Sequence, residues 1–323
     1  MTAPFQTDSQ AIALPPDGPT IPALGVGTWA WGDAFFWSYG KDYVEADLLA
    51  AFQASIDAGV PFFDTAEVYG LGESERLIGR FRPQVEPPVT IATKYFPLPW
   101  RWSSDAVAET LTASLERLQL DSVELYQVHW PLDFLLGQKD LMNALANEVK
   151  QGRIKAIGVS NYSAQQMQMA HQYLAERGVP LAVNQMQYSL LHRKIESNGV
   201  LDMARRLNIS ILAYSPLAQG LLTGKYSADD YQKPTGARQL NPRFSKAGLT
   251  KIELVLQTLQ AIAQAHDKTP AQVALNWLIC VGNVAPIPGA KNADQARQNA
   301  GALGWSMTAA EHEQLGRVTQ AWL

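Results

Sequence analysis

The 323-residue chain has little of what marks several large protein classes. It carries one cysteine, Cys280, so no internal disulfide framework can form. The stretch around it, "NWLICVG", is apolar and indicates a buried, inert thiol rather than a nucleophile. That usage fits a reducing compartment. The residues before Ala11 are polar and short of positive charge, unlike a secretory leader, and a cytoplasmic location is expected. No apolar run approaches the ~20 residues of a membrane-spanning helix. There is no basic excess: 26 Lys and Arg against 30 Asp and Glu leave a net charge of -4, which argues against a nucleic-acid partner. His129, His171, His192, His266 and His312 contain no H-x-H pair and no Cys/His cluster, so no metal site is expected. No Gly/Ser linker or shift in composition divides the chain, which reads as one domain over residues 1–323.

What is present is a folded-protein composition, 47% hydrophobic and 17% charged. Strand candidates are "LGVGTW" (24–29), "VPFFD" (60–64), "VTIATK" (89–94), "SVELYQVH" (122–129), "IKAIGVS" (154–160), "LAVNQ" (181–185), "ISILAYS" (209–215) and "VAPIP" (284–288). They are near-continuous apolar runs, the pattern of parallel strands covered on both faces. Amphipathic helices lie between them. Leu48, Phe52 and Ile56 share one face, as do Val107, Leu111, Leu115 and Leu118, and Met167, Ala170 and Leu174. Ser163/Gln166, Thr250/Glu253, Thr269/Gln272 and Thr308/Glu311 have capping-box spacing, and Pro270 suits a first helical position. Eight strand–helix units in about 300 residues predict a (β/α)8 barrel. "IALPPDGPTIP" before the first strand predicts a short hairpin, and helices near 270–281 and 308–321 are extra to the repeat. The longest irregular stretch, 226–249, is a candidate functional loop.

"GVGTWA" (25–30) matches a dinucleotide-binding glycine pattern in form, but the aromatic, Gly-broken "TWAWGDAFFWSYG" follows instead of a helix, so the motif lacks its context. "GLGESERLIG" lacks the third glycine.

In such barrels chemistry gathers at the C-terminal strand ends. Those ends carry Trp29, Asp64 with Tyr69 just beyond, Lys94, His129, Ser160–Asn161, Gln185 and Tyr214–Ser215. Singly each has an ordinary reading: Lys94 as a snorkelling end residue, His129 as a core histidine, Asn161 as a turn former. Together they place an acid, an ammonium, a phenol and an imidazole at one rim. A tyrosine near its ordinary pKa of about 10 donates protons poorly at pH 7. An ammonium about 4 Å away is expected to lower that pKa, by roughly three units at most. Asp64 would keep Lys94 charged, Tyr69 would act as general acid, and His129 would orient the same substrate oxygen. The fitting substrate is a carbonyl that takes a hydride on carbon and a proton on oxygen. A glycosidase needs two flanking carboxylates, which these ends do not supply. A Schiff-base lyase built on Lys94 is the non-redox alternative.

In order along the chain, "LGVGTW", "FFDTAEVYG", "IATKY", "YQVHWP", "IGVSNYS", "NQMQYS", "AYSPLAQGLLTGKY" and "PIPGAKNADQARQNAGA" resemble the landmarks of the aldo-keto reductase family over essentially the whole length. The resemblance implies Asp64, Tyr69, Lys94 and His129 as catalytic residues and a nicotinamide cofactor held without a Rossmann fold. It implies that Ser160, Asn161 and Gln185 bind the carboxamide and that Tyr214 stacks on the nicotinamide. Ser215, Leu217, Gln219, Gly220 and Lys225 would hold the pyrophosphate region, with Arg243 a charge partner from the following loop. Thr28 and Gly289 would also face the cofactor. Lys291 would meet a 2′-phosphate, with Gln298 and Asn299 near the adenine. Gln295 stands where many members have an arginine for that phosphate. Lys291 still favours NADPH over NADH. Trp29, Tyr95 and Trp130 are expected nearest the substrate, in an apolar, aromatic-walled pocket. A monomer is the default the family implies, and its other implied role is a cofactor-binding regulatory subunit with little turnover.

Overall fold

The apolar segments form strands and the amphipathic segments form helices, with one cap displaced. The structure, a computed structural model, describes residues 5, 11–86, 88–132, 136–229, 231, 238–239 and 241–323. The segment before Ala11, Phe5 apart, and parts of the 226–249 loop, both singled out above, lie outside them. Eight parallel strands run in sheet order: β3 (Val26–Gly27), β4 (Phe62–Asp64), β5 (Thr90–Tyr95), β6 (Val123–Val128), β7 (Ile154–Ser160), β8 (Leu181–Gln187), β9 (Ser210–Tyr214) and β10 (Val284–Pro286). Gly25 N donates to Pro286 O and Gly27 N to Pro288 O, both at 3.0 Å, joining the last strand to the first. This is a (β/α)8 barrel.

Helices α1 (Glu45–Asp57), α2 (Glu73–Phe81), α3 (Asp105–Leu118), α4 (Gln138–Lys150) and α5 (Ala164–Ala175) each follow a strand. The faces read from periodicity are the buried ones, including Val107, Leu111, Leu115 and Leu118. After β8 come α6 (Lys194–Ser197) and α7 (Val200–Arg206); after β9, α8 (Lys246–Ala265) and α9 (Pro270–Ile279); after β10, α10 (Ala293–Ala300) and α11 (Ala309–Val318). Capping boxes occur at Ser163, Thr269 and Thr308. The box expected at Thr250 does not form. Helix α8 opens a turn earlier, where Ser245 Oγ accepts from Gly248 N, and the Thr250 hydroxyl donates to Lys246 O inside the helix.

The hairpin β1 (Ala11–Ala13) and β2 (Thr20–Pro22) is antiparallel. Its Ile12, Leu14 and Ile21 pack with Phe62, Ala92, Leu125, Ala156, Val183, Leu212 and Ala285, the inward-facing residues of the barrel strands. The hairpin therefore closes the barrel floor, opposite the strand ends that carry polar groups. Cys280 is buried, and burial lifts its thiol to about 11, as befits an inert residue.

Candidate active site

Strand alternation builds the site. Side chains two apart on a strand share a face. Two residues above the apolar layer of Phe62, Ala92, Leu125, Val183 and Leu212 stand Asp64, Lys94, Gln127, Gln185 and Tyr214. The interior thus changes from apolar to polar in one step. Gly158 shares this layer, and a Cβ there would come within 2.8 Å of Gln127 Cγ, so the glycine makes room for that amide.

Asp64 is 2% exposed and fully partnered. Its Oδ1 accepts from Gln127 Nε2 at 2.9 Å and Gln185 Nε2 at 2.8 Å, and its Oδ2 from Lys94 Nζ at 2.5 Å. Lys94 spends its other two N–H groups on Thr65 O at 2.8 Å and the Tyr69 oxygen at 3.4 Å. Burial works against the Lys94 charge, but Asp64 and the Tyr69 oxygen outweigh it and hold the pKa above the usual lysine value. An ammonium committed in this way is no Schiff-base nucleophile. Tyr69 departs from the expected depression. Burial raises its pKa, Asp64 adds to that, and Lys94 only partly offsets it, so the phenol keeps its proton. Because Lys94 donates to the phenol oxygen, the phenol hydrogen is free for another acceptor. The His129 ring meets Tyr69 edge to face at 5.6 Å. Burial and the nearby Lys94 charge lower its pKa to about 3, so the imidazole is neutral, and its buried Nδ1 has no partner among the described residues.

These groups open on a cavity of about 760 Å³. Asp64, Tyr69 and His129 line it together with Thr28, Trp29, Trp130, Ser160, Asn161, Gln185, Tyr214, Ser215, Leu217, Gln219, Gly220, Lys225, Gly289, Lys291, Gln295, Gln298 and Asn299. Tyr214 donates its hydroxyl to Asn161 Oδ1 at 2.9 Å, which fixes its ring in the wall. Asn161 Nδ2 reaches Ser160 Oγ at 3.1 Å. The Thr28 hydroxyl is turned back to Asp64 O at 3.0 Å. Beyond β9, Ser215, Ala218 and Gln219 have φ of 51°, 49° and 60°. Left-handed non-glycine residues of this kind cluster at binding sites. Gly289 has ordinary φ, and a Cβ there would meet only Gly27 O at 3.6 Å. Protein packing does not require a glycine at this point; the missing Cβ leaves room on the cavity side.

Two expected residues lie elsewhere. Tyr95 follows the inward-facing Lys94 and so points outward; it is 1% exposed, beneath the Arg101 guanidinium at 5.3 Å. Arg243 sits in the turn Pro242–Phe244, with its charge bearing on His192, and is absent from the cavity wall. The arginine of the 226–249 loop that does line the cavity, beside Lys225 and Lys291, is Arg238, whose Nε donates to Gln219 O at 3.0 Å. Arg238 and Lys291 both lie over the Trp37 ring, at 5.7 and 4.8 Å. Burial and the Arg238 charge lower Lys291 to about 8. Among the described residues neither cation has a carboxylate within ion-pair distance. Gln295 Oε1 accepts from Lys291 N at 2.9 Å, so Gln295 shapes the loop that carries the lysine. The cavity thus runs from an acid–base cluster to an amide-rich end with two converging cations. That layout fits a dinucleotide bearing an extra phosphate. Among the described residues no His/Cys/Asp/Glu group could hold a metal ion, and no helix is long and apolar enough to cross a membrane.

The chain matches the Aldo/keto reductase family over residues 23–320. It is 40% identical to a chloroplastic pyridoxal reductase of Arabidopsis thaliana, over 92% of this chain and 82% of that one. It is 37% identical to an uncharacterized oxidoreductase of Mycobacterium tuberculosis, over 94% and 90%. Its fold resembles the glycerol dehydrogenase of Gluconobacter oxydans, with TM-score 0.85, 27% identity and 98% and 96% of the chains covered. It also resembles an aldo/keto reductase of Klebsiella pneumoniae solved with NADP and acetate, with TM-score 0.74, 28% identity and 96% and 95% covered.

Proposed function

The chain belongs to the aldo/keto reductase family and is an oxidoreductase, and from that premise we propose that it uses NADPH to reduce an aldehyde or ketone to the alcohol. The observation that carries this reading is the Asp64–Lys94–Tyr69 chain of contacts beside neutral His129, at one end of a cavity whose other end holds Lys291 and Arg238. Bound NADPH supplies the hydride for the carbonyl carbon. The protein's own residues do the rest. Tyr69 gives its proton to the carbonyl oxygen, and Lys94 steadies the phenolate left behind. Asp64 holds Lys94, while Gln127 and Gln185 hold Asp64. Neutral His129 donates a hydrogen bond to the same oxygen. Gln185 has both amide hydrogens committed, so its carbonyl is what it offers to a carboxamide. Tyr214 presents its ring face for stacking, and burial holds its hydroxyl at about 12, so the ring stays neutral.

Trp29, Phe36 and Trp130 line the mouth and are 41%, 50% and 43% exposed, which suits a flat, apolar carbonyl. Pyridoxal, an aromatic aldehyde named for the plant relative, belongs in the first substrate panel with 4-nitrobenzaldehyde. The test is NADPH oxidation with these aldehydes by wild type and Tyr69→Phe. The variant is expected to lose turnover by about 10²- to 10⁴-fold while still binding NADPH. Retained turnover would remove Tyr69 as proton donor. NADPH binding by wild type with no turnover on any carbonyl would support the regulatory role instead.

A further inference from the structure

Arg101 and Glu67 form a two-pronged ion pair behind the reacting groups. Arg101 Nη1 meets Glu67 Oε1 at 2.6 Å, and Nη2 meets Oε2 at 2.8 Å. The same Nη1 donates to Phe96 O at 2.6 Å, and Glu67 Oε1 accepts from Phe96 N at 2.7 Å. The two side chains are only 16% and 9% exposed. Trp100 and Trp102, on either side, are 64% and 69% exposed, so the arginine alone turns inward. It rests on the Tyr95 ring.

The positions it connects are specific. Glu67 lies in the short segment between Asp64 and Tyr69. Phe96 follows Lys94 and Tyr95, and its ring packs edge-on to His129 at 5.4 Å. One ion pair therefore ties the segment that carries Tyr69 to the segment that carries Lys94, and touches the residue that supports His129. Lys94 is held firmly on its other side, at 2.5 Å from Asp64 and 2.8 Å from Thr65 O, but its contact to Tyr69 is 3.4 Å. Asp64 and Thr65 fix the lysine; they do not fix the phenol.

We propose that Glu67 and Arg101 are positioning residues that set the Tyr69–Lys94–His129 geometry for proton transfer. The proposal rests on the reading of Tyr69 as proton donor. A bidentate, largely buried pair with main-chain bonds on both partners is directional in a way that an exposed pair is not. Reacting groups displaced by about 1 Å can lose on the order of 100-fold in rate.

The experiment compares Glu67→Gln, Arg101→Lys and Arg101→Met with wild type. Glu67→Gln keeps the shape and an acceptor for Phe96 N. Arg101→Lys keeps the charge and loses the second prong. The expected result is NADPH affinity and aldehyde KM within about twofold of wild type, with kcat lowered on the order of 10- to 100-fold. The solvent deuterium isotope effect on kcat should rise, because proton transfer becomes slower. Arg101→Lys should keep part of the turnover that Arg101→Met loses. Thermal melting identifies a variant that fails to fold, and the conservative Arg101→Lys then decides. Unchanged kcat, a raised KM with kcat intact, or a lowered kcat with no change in isotope effect would each overturn the proposal. Tyr69→Phe separates the two readings. If it keeps full turnover, the proton-donor assignment has failed. If it is inactive while all three Glu67 and Arg101 variants are fully active, the positioning proposal alone has failed.

Discussion

Lys291 places its ammonium 4.3 Å from the Tyr43 ring and 4.8 Å from the Trp37 ring, with Arg238 on the same tryptophan. Aromatic faces stabilise each cation, but burial and, after it, repulsion from Arg238 depress the lysine. An anion with two negative charges relieves that repulsion. Lys291→Ala and Arg238→Ala are therefore each expected to weaken NADPH by about 10- to 100-fold and NADH by less than about threefold. Fluorescence titration with both cofactors checks this, and equal losses would remove the pair from the phosphate site. Arg238 was not readable from sequence because its loop is long and irregular, and spacing does not say which of its charges turns inward. The acid, lysine, phenol and imidazole were readable because their types form one chemistry at consecutive strand ends. Gln127 was hidden inside the apolar-looking "YQVH", although period-two alternation with His129 was the available signal. The same alternation argues against Tyr95 as a substrate contact: beside an inward Lys94 it faces outward, beneath Arg101.

Elements were legible where short-range rules decide them. Three of the four capping boxes formed because each Ser or Thr stood just ahead of its helix's first buried turn. Thr250 failed because the apolar stripe of α8 already begins at Leu249, and Ser245 caps one turn earlier. Glycine roles inside strands were less legible, since they depend on neighbours across the sheet. Gly158 is the case with consequences for the site. Gly158→Ala would press a methyl against Gln127 Cγ at 2.8 Å, with Leu125 Cδ1 and Val183 Cβ at 3.3 Å behind it. Overpacking of this kind costs about 1–3 kcal/mol. The strain should also push Gln127 off Asp64, so the expected result is a lower urea midpoint together with lower turnover. Unaltered stability and activity would show that the barrel interior yields more easily than its packing indicates.

The barrel itself was legible from the alternation of eight apolar runs with helical patterns, a feature of the whole chain rather than of any segment. Acid stability is also a property of the whole. His312 is 3% exposed, stacked on Trp277 at 5.3 Å, and burial with the Arg193 charge lowers its pKa to about 4. The folded state thus binds this proton later than the unfolded chain, whose histidines titrate near 6.5. Stability from this residue is present above pH 6.5 and is lost as pH falls toward 4, by about 3 kcal/mol at most. His312→Phe keeps a stacking ring and should flatten the fall in melting temperature over that window. An unchanged slope would assign the acid sensitivity to other groups. The floor hairpin has a different consequence. Because Ile12, Leu14 and Ile21 stopper the barrel below, traffic passes through the mouth above. On the proposed reading, a nicotinamide beside Tyr69 with the carbonyl above it would be the last to leave, and the vessel's shape would impose a queue: first in, last out.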